Sequence, residues 1–146
     1  MEIQISFRLK IPELESRKIR KRLEKVLKDL GCDENELSIL FTGDDHIAEL
    51  NRNHLGRKGP TNVLAFPMSD GSKVDIESVM LGDVVISVDT ARRESKATGE
   101  SLDRTVFRLL IHGVLHLLDY DHERSSEDEI IMQTEEKRLL DLIMEE

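Results

Sequence analysis

Ile3, Ile5, Phe7 and Leu9 alternate with Glu2, Gln4, Ser6 and Arg8, and a period of two is that of a half-buried strand. Pro12 ends it. The rhythm then becomes helical, with Ile19, Leu23, Val26, Leu27 and Leu30 recurring between Ser16, read as an N-cap, and Gly31, which supplies a stop. Leu37 to Phe41 is a short apolar run suited to a buried strand, and Asp44 can cap a helix with Ile47, Leu50 and Leu55 facing inward. NRNHLGRKGPTN reads as a polar loop, Asn62 to Phe66 as a strand closed by Pro67, and Ser69 to Ser78 as a polar connection. Val79 to Ser87 is strand-like, with Gly82 and Asp83 marking a bulge or a close backbone approach. A helix from Asp89 to Thr98 ends at Gly99. Ser101 caps the next, and Ser125 or Ser126 with Asp128 or Glu129 starts the last with a capping box. This order predicts an α/β (α+β) fold, a single domain over residues 1–146 with a mixed sheet of about four strands and a central buried helix.

Composition narrows the class. Hydrophobic residues make up 38% of the 146 positions and charged residues 35%, as expected of a globular chain, and no apolar run is long enough to span a membrane. The first residues lack the basic-then-apolar layout of a secretory signal, and the single cysteine, Cys32, cannot form an internal disulfide; a cytoplasmic location is expected. The net charge of −9 argues against a nucleic-acid partner, but the charge is uneven. Nine Lys and Arg face three Glu between Arg8 and Lys28, whereas eleven acids face three bases from Asp119 to Glu146. Arg17, Lys18, Lys21 and Lys25 therefore form either a solvated helix face or a strip able to follow a phosphate backbone.

The segment HGVLHLLDYDH at 112–122 holds three of the five histidines. His112 and His116, four apart on a helix, share a face and can grip one ion. Phe107, Leu110, Ile111, Val114, Leu115 and Leu118 form a wide apolar stripe and Leu109 lies beside the histidines, so the helix reads as buried all round. Imidazoles in such a setting need partners, and a metal answers that need. On a continuing helix His122 would lie about 240° round and about 9 Å beyond His116, so the chain must turn, and Asp119 is the residue that enters the left-handed region at modest cost. The turn lets His122 complete a metzincin-like His-x3-His-x5-His set of three ligands with a fourth position open, suited to one catalytic Zn²⁺ per chain, with Mn²⁺, Ni²⁺ or Fe²⁺ also compatible with the ligands. Asp121 is either an acceptor for a ligand imidazole or a solvated turn residue, and His46 and His54 read as surface residues.

Zinc proteases place a glutamate after the first histidine, where it takes a proton from the attacking water. Here that residue is Gly113. A glycine in mid-helix costs about 1 kcal/mol against alanine, and its expected reason is space for another backbone or a substrate. A peptidase mechanism is disfavoured; hydroxide generation or charge stabilisation on a phosphodiester oxygen remains.

HGVLHLLDYDH resembles the His-Gly-x-Leu-His-Leu-x-Gly-Tyr-Asp-His signature of the YbeY family of bacterial endoribonucleases and rRNA maturation factors. LNRNHLGRKGPTNVLAFP at 50–67, LGDVVIS at 81–87, and Met132 with Glu135 agree with the family pattern in the same order. The resemblance implies a zinc ion on His112, His116 and His122, and cleavage of single-stranded RNA. It also implies a role in small-subunit rRNA 3′-end maturation and ribosome quality control, with rRNA and the small ribosomal subunit as partners; no DNA and no membrane partner is expected. Leu55 stands where the family has an arginine tied to activity, leaving Arg57 and Lys58 as candidate RNA-binding cations. Asp119 replaces the second glycine of the signature, and Ala65 a common serine. No general base is assigned, Glu123 and Asp121 being near in sequence only. Two other readings stand beside the endoribonuclease: an RNA-binding ribosome-assembly protein whose zinc is mainly structural, favoured by Leu55, and a metal-dependent hydrolase of another substrate such as peptides, opposed by Gly113.

Overall fold

A computed structural model describes residues 2–68, 80–120 and 125–144. Its elements follow in the order β1 (Glu2–Phe7), α1 (Ser16–Asp29), β2 (Glu36–Thr42), α2 (Asp44–Leu55), β3 (Val63–Pro67), β4 (Met80–Ser87), α3 (Val88–Thr98), α4 (Leu102–Leu117) and α5 (Ser126–Met144). The four strands form one mixed sheet in the order β1-β2-β4-β3. β1, β2 and β4 run parallel, and β3 lies antiparallel to β4 at the edge. The expected four-stranded α+β fold is therefore present, and the polar connection expected at 69–78 lies outside the described residues.

The period-two patterning sorts the two faces of the sheet. Ile39 and Phe41 of β2 and Val84 and Ile86 of β4 join Leu23, Val26 and Leu27 of α1, residues of α4, and Met132, Leu139 and Ile143 of α5 in the main core. The other face carries a smaller cluster in which Leu64, Val85, Leu40 and Phe66 meet Ile47 and Leu50 of α2. Arg22 ties three helices together, its guanidinium 5.0 Å from the Phe107 ring and donating to Met144 Sδ at 3.1 Å.

Helix ends show where local signals were decisive. Gly31, at φ 75°, closes α1: its N–H donates to the Lys28 carbonyl (3.1 Å) and the Cys32 N–H to the Leu27 carbonyl (2.7 Å), the paired bonds of a Schellman stop. Ser101 caps α4 by accepting from the Arg104 N–H (3.1 Å), and Ser125 caps α5 through the Asp128 N–H (3.0 Å). Two expected caps are displaced. Ser16 is the first helical residue, preceded by Glu15 with no side-chain cap bond, and Gly43 precedes α2. Asp44 instead reaches across to the next βα junction, where Oδ1 accepts from Ser87 Oγ and Thr90 Oγ1, each at 2.7 Å, and Oδ2 pairs with Arg93 at 2.8 Å. Leu55 does not face inward; it is 49% exposed at the last position of α2.

Gly82 realises the expected close approach. At φ 148°, a Cβ there would collide with the Phe66 carbonyl oxygen and lie 2.9 Å from Leu117 Cδ2, and the β2–β4 register shifts beside it, between Glu36 and Leu37. Among the described residues, no helix is long and apolar enough to cross a membrane.

Candidate metal centre

α4 seats against β3 and β4 along a side centred on Gly113. A Cβ added at Gly113 would lie 2.7 Å from Val84 Cγ1 and 3.4 Å from Val63 Cγ2. The space was expected to admit a backbone or a substrate; it is filled by the two valine side chains of the sheet. The absent glutamate of zinc proteases thus has no room at this position. Leu110, Val114 and Phe107 lie about 60°, 100° and 120° round the helix from Gly113 in one sense, and all three are buried in the main core. His116 and His112 lie about 60° and 100° in the opposite sense. That side is only part-buried, so α4 is not enclosed all round: Arg108, His112 and His116 form an accessible strip.

The two imidazoles sit on adjacent turns with ring centroids 4.9 Å apart and planes at 66°. Glu136 of α5 touches His112 through Oε1 and Nδ1, a contact that holds the ring on its Nδ1 side. Sequence reasoning picked out Glu135; the structure places Glu135 in a pair with Arg138 (2.9 Å) that also reaches Asp29 (2.7 Å). A signal for Glu136 did exist, since it falls at helical spacing with Met132, Leu139, Leu140 and Ile143, the buried face of α5. One turn before His112, Arg108 pairs with Glu100 (3.2 Å), and Glu94 beside it accepts from Asn62 Nδ2 (2.8 Å).

The chain leaves α4 where the spacing argument requires. Asp119 has φ 73°, the only described non-glycine residue at positive φ. Its N–H donates to the His116 carbonyl and the Tyr120 N–H to the Leu115 carbonyl, each at 3.0 Å, the same Schellman pattern that Gly31 makes on α1. Tyr120 then packs on the main core. His122, Asp121 and Glu123 lie outside the described residues, and among the described residues no group of three His, Cys, Asp or Glu is arranged to hold an ion.

The remaining expected residues are dispersed. Arg57 and Lys58 are exposed on the loop entering β3, and Ala65 lies half-buried in that strand. Arg17 and Lys21 are exposed on α1, whereas Lys18 is tied to Asp103 at 2.7 Å. Lys21 and Lys25 line a groove with Glu24, Lys28 and Asp33, so the basic strip carries acids within it. His54 is exposed, its ring 5.2 Å from that of Phe66, and half-buried His46 bonds Thr42 Oγ1 through Nδ1 at 3.0 Å.

The donor set fits a transition metal. Neutral imidazole is a preferred ligand of zinc, and a metal-bound histidine characteristically holds a carboxylate on its other ring nitrogen, as His112 holds Glu136. Fold and site together define a small α+β protein with a histidine pair on its central helix. The family model described as Endoribonuclease YbeY matches residues 4–144, and the chain belongs to that family. It is 40% identical over 144 residues to a protein named Endoribonuclease YbeY from Syntrophus aciditrophicus, covering 98% of this chain and 90% of that one. A relative of the same name from Geobacter sulfurreducens is 41% identical over 144 residues, covering 98% and 96%. Among solved structures, TM1509 from Thermotoga maritima shares the fold, with a TM-score of 0.70 at 23% identity over 97% of this chain and 88% of that one.

Proposed function

We propose that this chain is a metal-dependent endoribonuclease that cuts single-stranded RNA, its metal held by His112, His116 and His122. The observation that carries the reading is the His112–Glu136 contact beside His116 on α4, in a chain whose relatives are named endoribonucleases. One zinc ion per chain, when bound, supplies Lewis-acid stabilisation of charge on a phosphodiester oxygen. The protein's own groups do the rest. Glu136 holds the Nδ1 side of the His112 ring, which would leave Nε2 as the nitrogen available to a metal. The left-handed conformation of Asp119 closes α4 just past His116, and Gly113 lets α4 settle close to the sheet. Arg57, Lys58, Arg17, Lys21 and Lys25 are the cations proposed for phosphate contact, with Lys18 less able to contribute because Asp103 holds it.

The setting proposed is the cytoplasm, with small-subunit rRNA precursors as substrate and the small ribosomal subunit as partner, on the strength of the resemblance of residues 112–122 to the family signature. A second reading has one specific observation in its favour. Leu55, where the family pattern has arginine, is exposed at the end of α2, and a protein lacking that cation is a candidate for RNA binding with a mainly structural zinc. Incubating the protein with fluorogenic single-stranded RNA and with casein, with and without chelator and beside His116→Ala, separates these. Cleavage of RNA alone, abolished by chelator and by the substitution, supports the endoribonuclease; zinc retention and RNA binding without turnover support the second reading.

A further inference from the structure

β3 ends the sheet, and its register fixes which backbone groups face outward. The Ser87 N–H donates to the Asn62 carbonyl (3.0 Å) and the Met68 N–H to the Leu81 carbonyl (3.2 Å). With pairing from Val63↔Ile86 to Pro67↔Gly82, the even-numbered residues turn their backbone groups to β4 and the odd-numbered ones away from it. The N–H and C=O of Val63 and Ala65, and the C=O of Pro67, therefore point off the sheet, and none meets a partner among the described residues. Pro67 agrees with this assignment, since the donor it lacks would have pointed outward. The same edge lies on the histidine side of α4. Val63 touches the Gly113 seat, the opposite side of the helix is buried in the core, and His112 and His116 face away from that core.

We infer that the outer edge of β3 holds the substrate strand, with the N–H and C=O of Val63 and Ala65 pairing with the Watson–Crick edges of successive unpaired bases. The inference rests on the endoribonuclease reading and gives its single-strand selectivity a cause. A residue's outward N–H and C=O form a donor–acceptor couple that matches the acceptor–donor couple of adenine or uracil, and in a duplex those base edges are already taken. Alternate residues of a strand are about 6.8 Å apart, a step that an unstacked strand can match and duplex bases about 3.4 Å apart cannot. RNA is favoured over an extended peptide, the usual occupant of a free strand edge, because the loop entering β3 exposes Arg57 and Lys58, which phosphates would meet and a neutral peptide would not.

The test scans N1-methyladenosine and N3-methyluridine, which block the Watson–Crick edge, through a single-stranded oligonucleotide cut at one place, measuring kcat/KM for the metal-loaded protein. The expected result is a drop of about tenfold at one or two positions beside the cut and none elsewhere, the size of a lost hydrogen-bond couple. In Ala65→Pro, which deletes one outward N–H and no ladder bond, unmodified RNA should lose a similar factor and the methylation penalty at one position should vanish. Cleavage indifferent to methylation at every position overturns the inference while leaving the endoribonuclease intact, and it does so in the unsubstituted protein whether or not Ala65→Pro folds. A penalty undiminished in folded Ala65→Pro, or competitive inhibition by a neutral extended peptide, also overturns it. Absence of RNA cleavage removes the reading beneath it and the inference together.

Discussion

His112 and Glu136, 24 positions apart, are joined by a contact between Nδ1 and Oε1. A carboxylate behind a ligand imidazole fixes its orientation and raises its basicity, and losing such a partner typically costs about 10–100-fold in metal affinity. Glu136→Gln should lower zinc affinity by that factor in competition with a chromophoric chelator. Glu135→Gln, which disturbs only the Arg138 pair, should leave it near the starting value. Equal affinity in Glu136→Gln would show that the contact has no bearing on the metal.

Asp119 occupies a left-handed conformation that L-residues adopt at a cost of about 1–2 kcal/mol. Asp119→Gly should therefore match or exceed the unsubstituted protein in urea denaturation, by up to about 1 kcal/mol, and Asp119→Val should fall below it by about 1–3 kcal/mol. A valine variant as stable as the glycine variant would contradict the strained turn.

Gly113 provides a test of sign. On an exposed helix Gly→Ala stabilises by about 1 kcal/mol. Here the new methyl would meet Val84 Cγ1 at 2.7 Å, and overpacking of this kind costs about 1–3 kcal/mol. Gly113→Ala should destabilise, and combining it with Val84→Ala should recover part of the loss beyond additivity.

Much of this was legible in the sequence. A period-two run located β1 and short apolar, strand-like runs located the other three strands, and Gly31, Gly99, Ser101 and Asp119 marked ends and turns because each acts through its own backbone or its nearest neighbours. Long-range partners were not legible. Asp44 reads as a local cap, yet its acceptors are used by Ser87, Thr90 and Arg93, which only the parallel β2–β4 pairing brings near. Gly113 announced a need for space but not that two valines fill it. Glu136 was hidden beside Glu135, since adjacent helix positions differ by about 100°, and only the packing of α5 on α4 says which one points in.

The Asp44 junction gives a pH prediction. Burial works to raise the Asp44 pKa, but hydrogen bonds from Arg93, Thr90 and Ser87 and the charge of Arg93 outweigh it, so the net shift is downward. A carboxyl with a lowered folded-state pKa stabilises the fold above its unfolded pKa, and that stability is lost as pH falls through the folded value. Urea midpoints should drop on acidification below about pH 4. In Asp44→Asn the acid-dependent loss should be smaller, with stability at pH 7 already reduced by about 1–3 kcal/mol. An unchanged acid slope would remove Asp44 from that titration.

Zinc stoichiometry tests the centre most directly. Native mass spectrometry with competitive chelation should find one zinc per chain in the unsubstituted protein, and a markedly weakened site in His122→Ala, as in His112→Ala and His116→Ala. No bound zinc in the unsubstituted chain, or His122→Ala retaining full affinity, would contradict a centre shared by those three imidazoles.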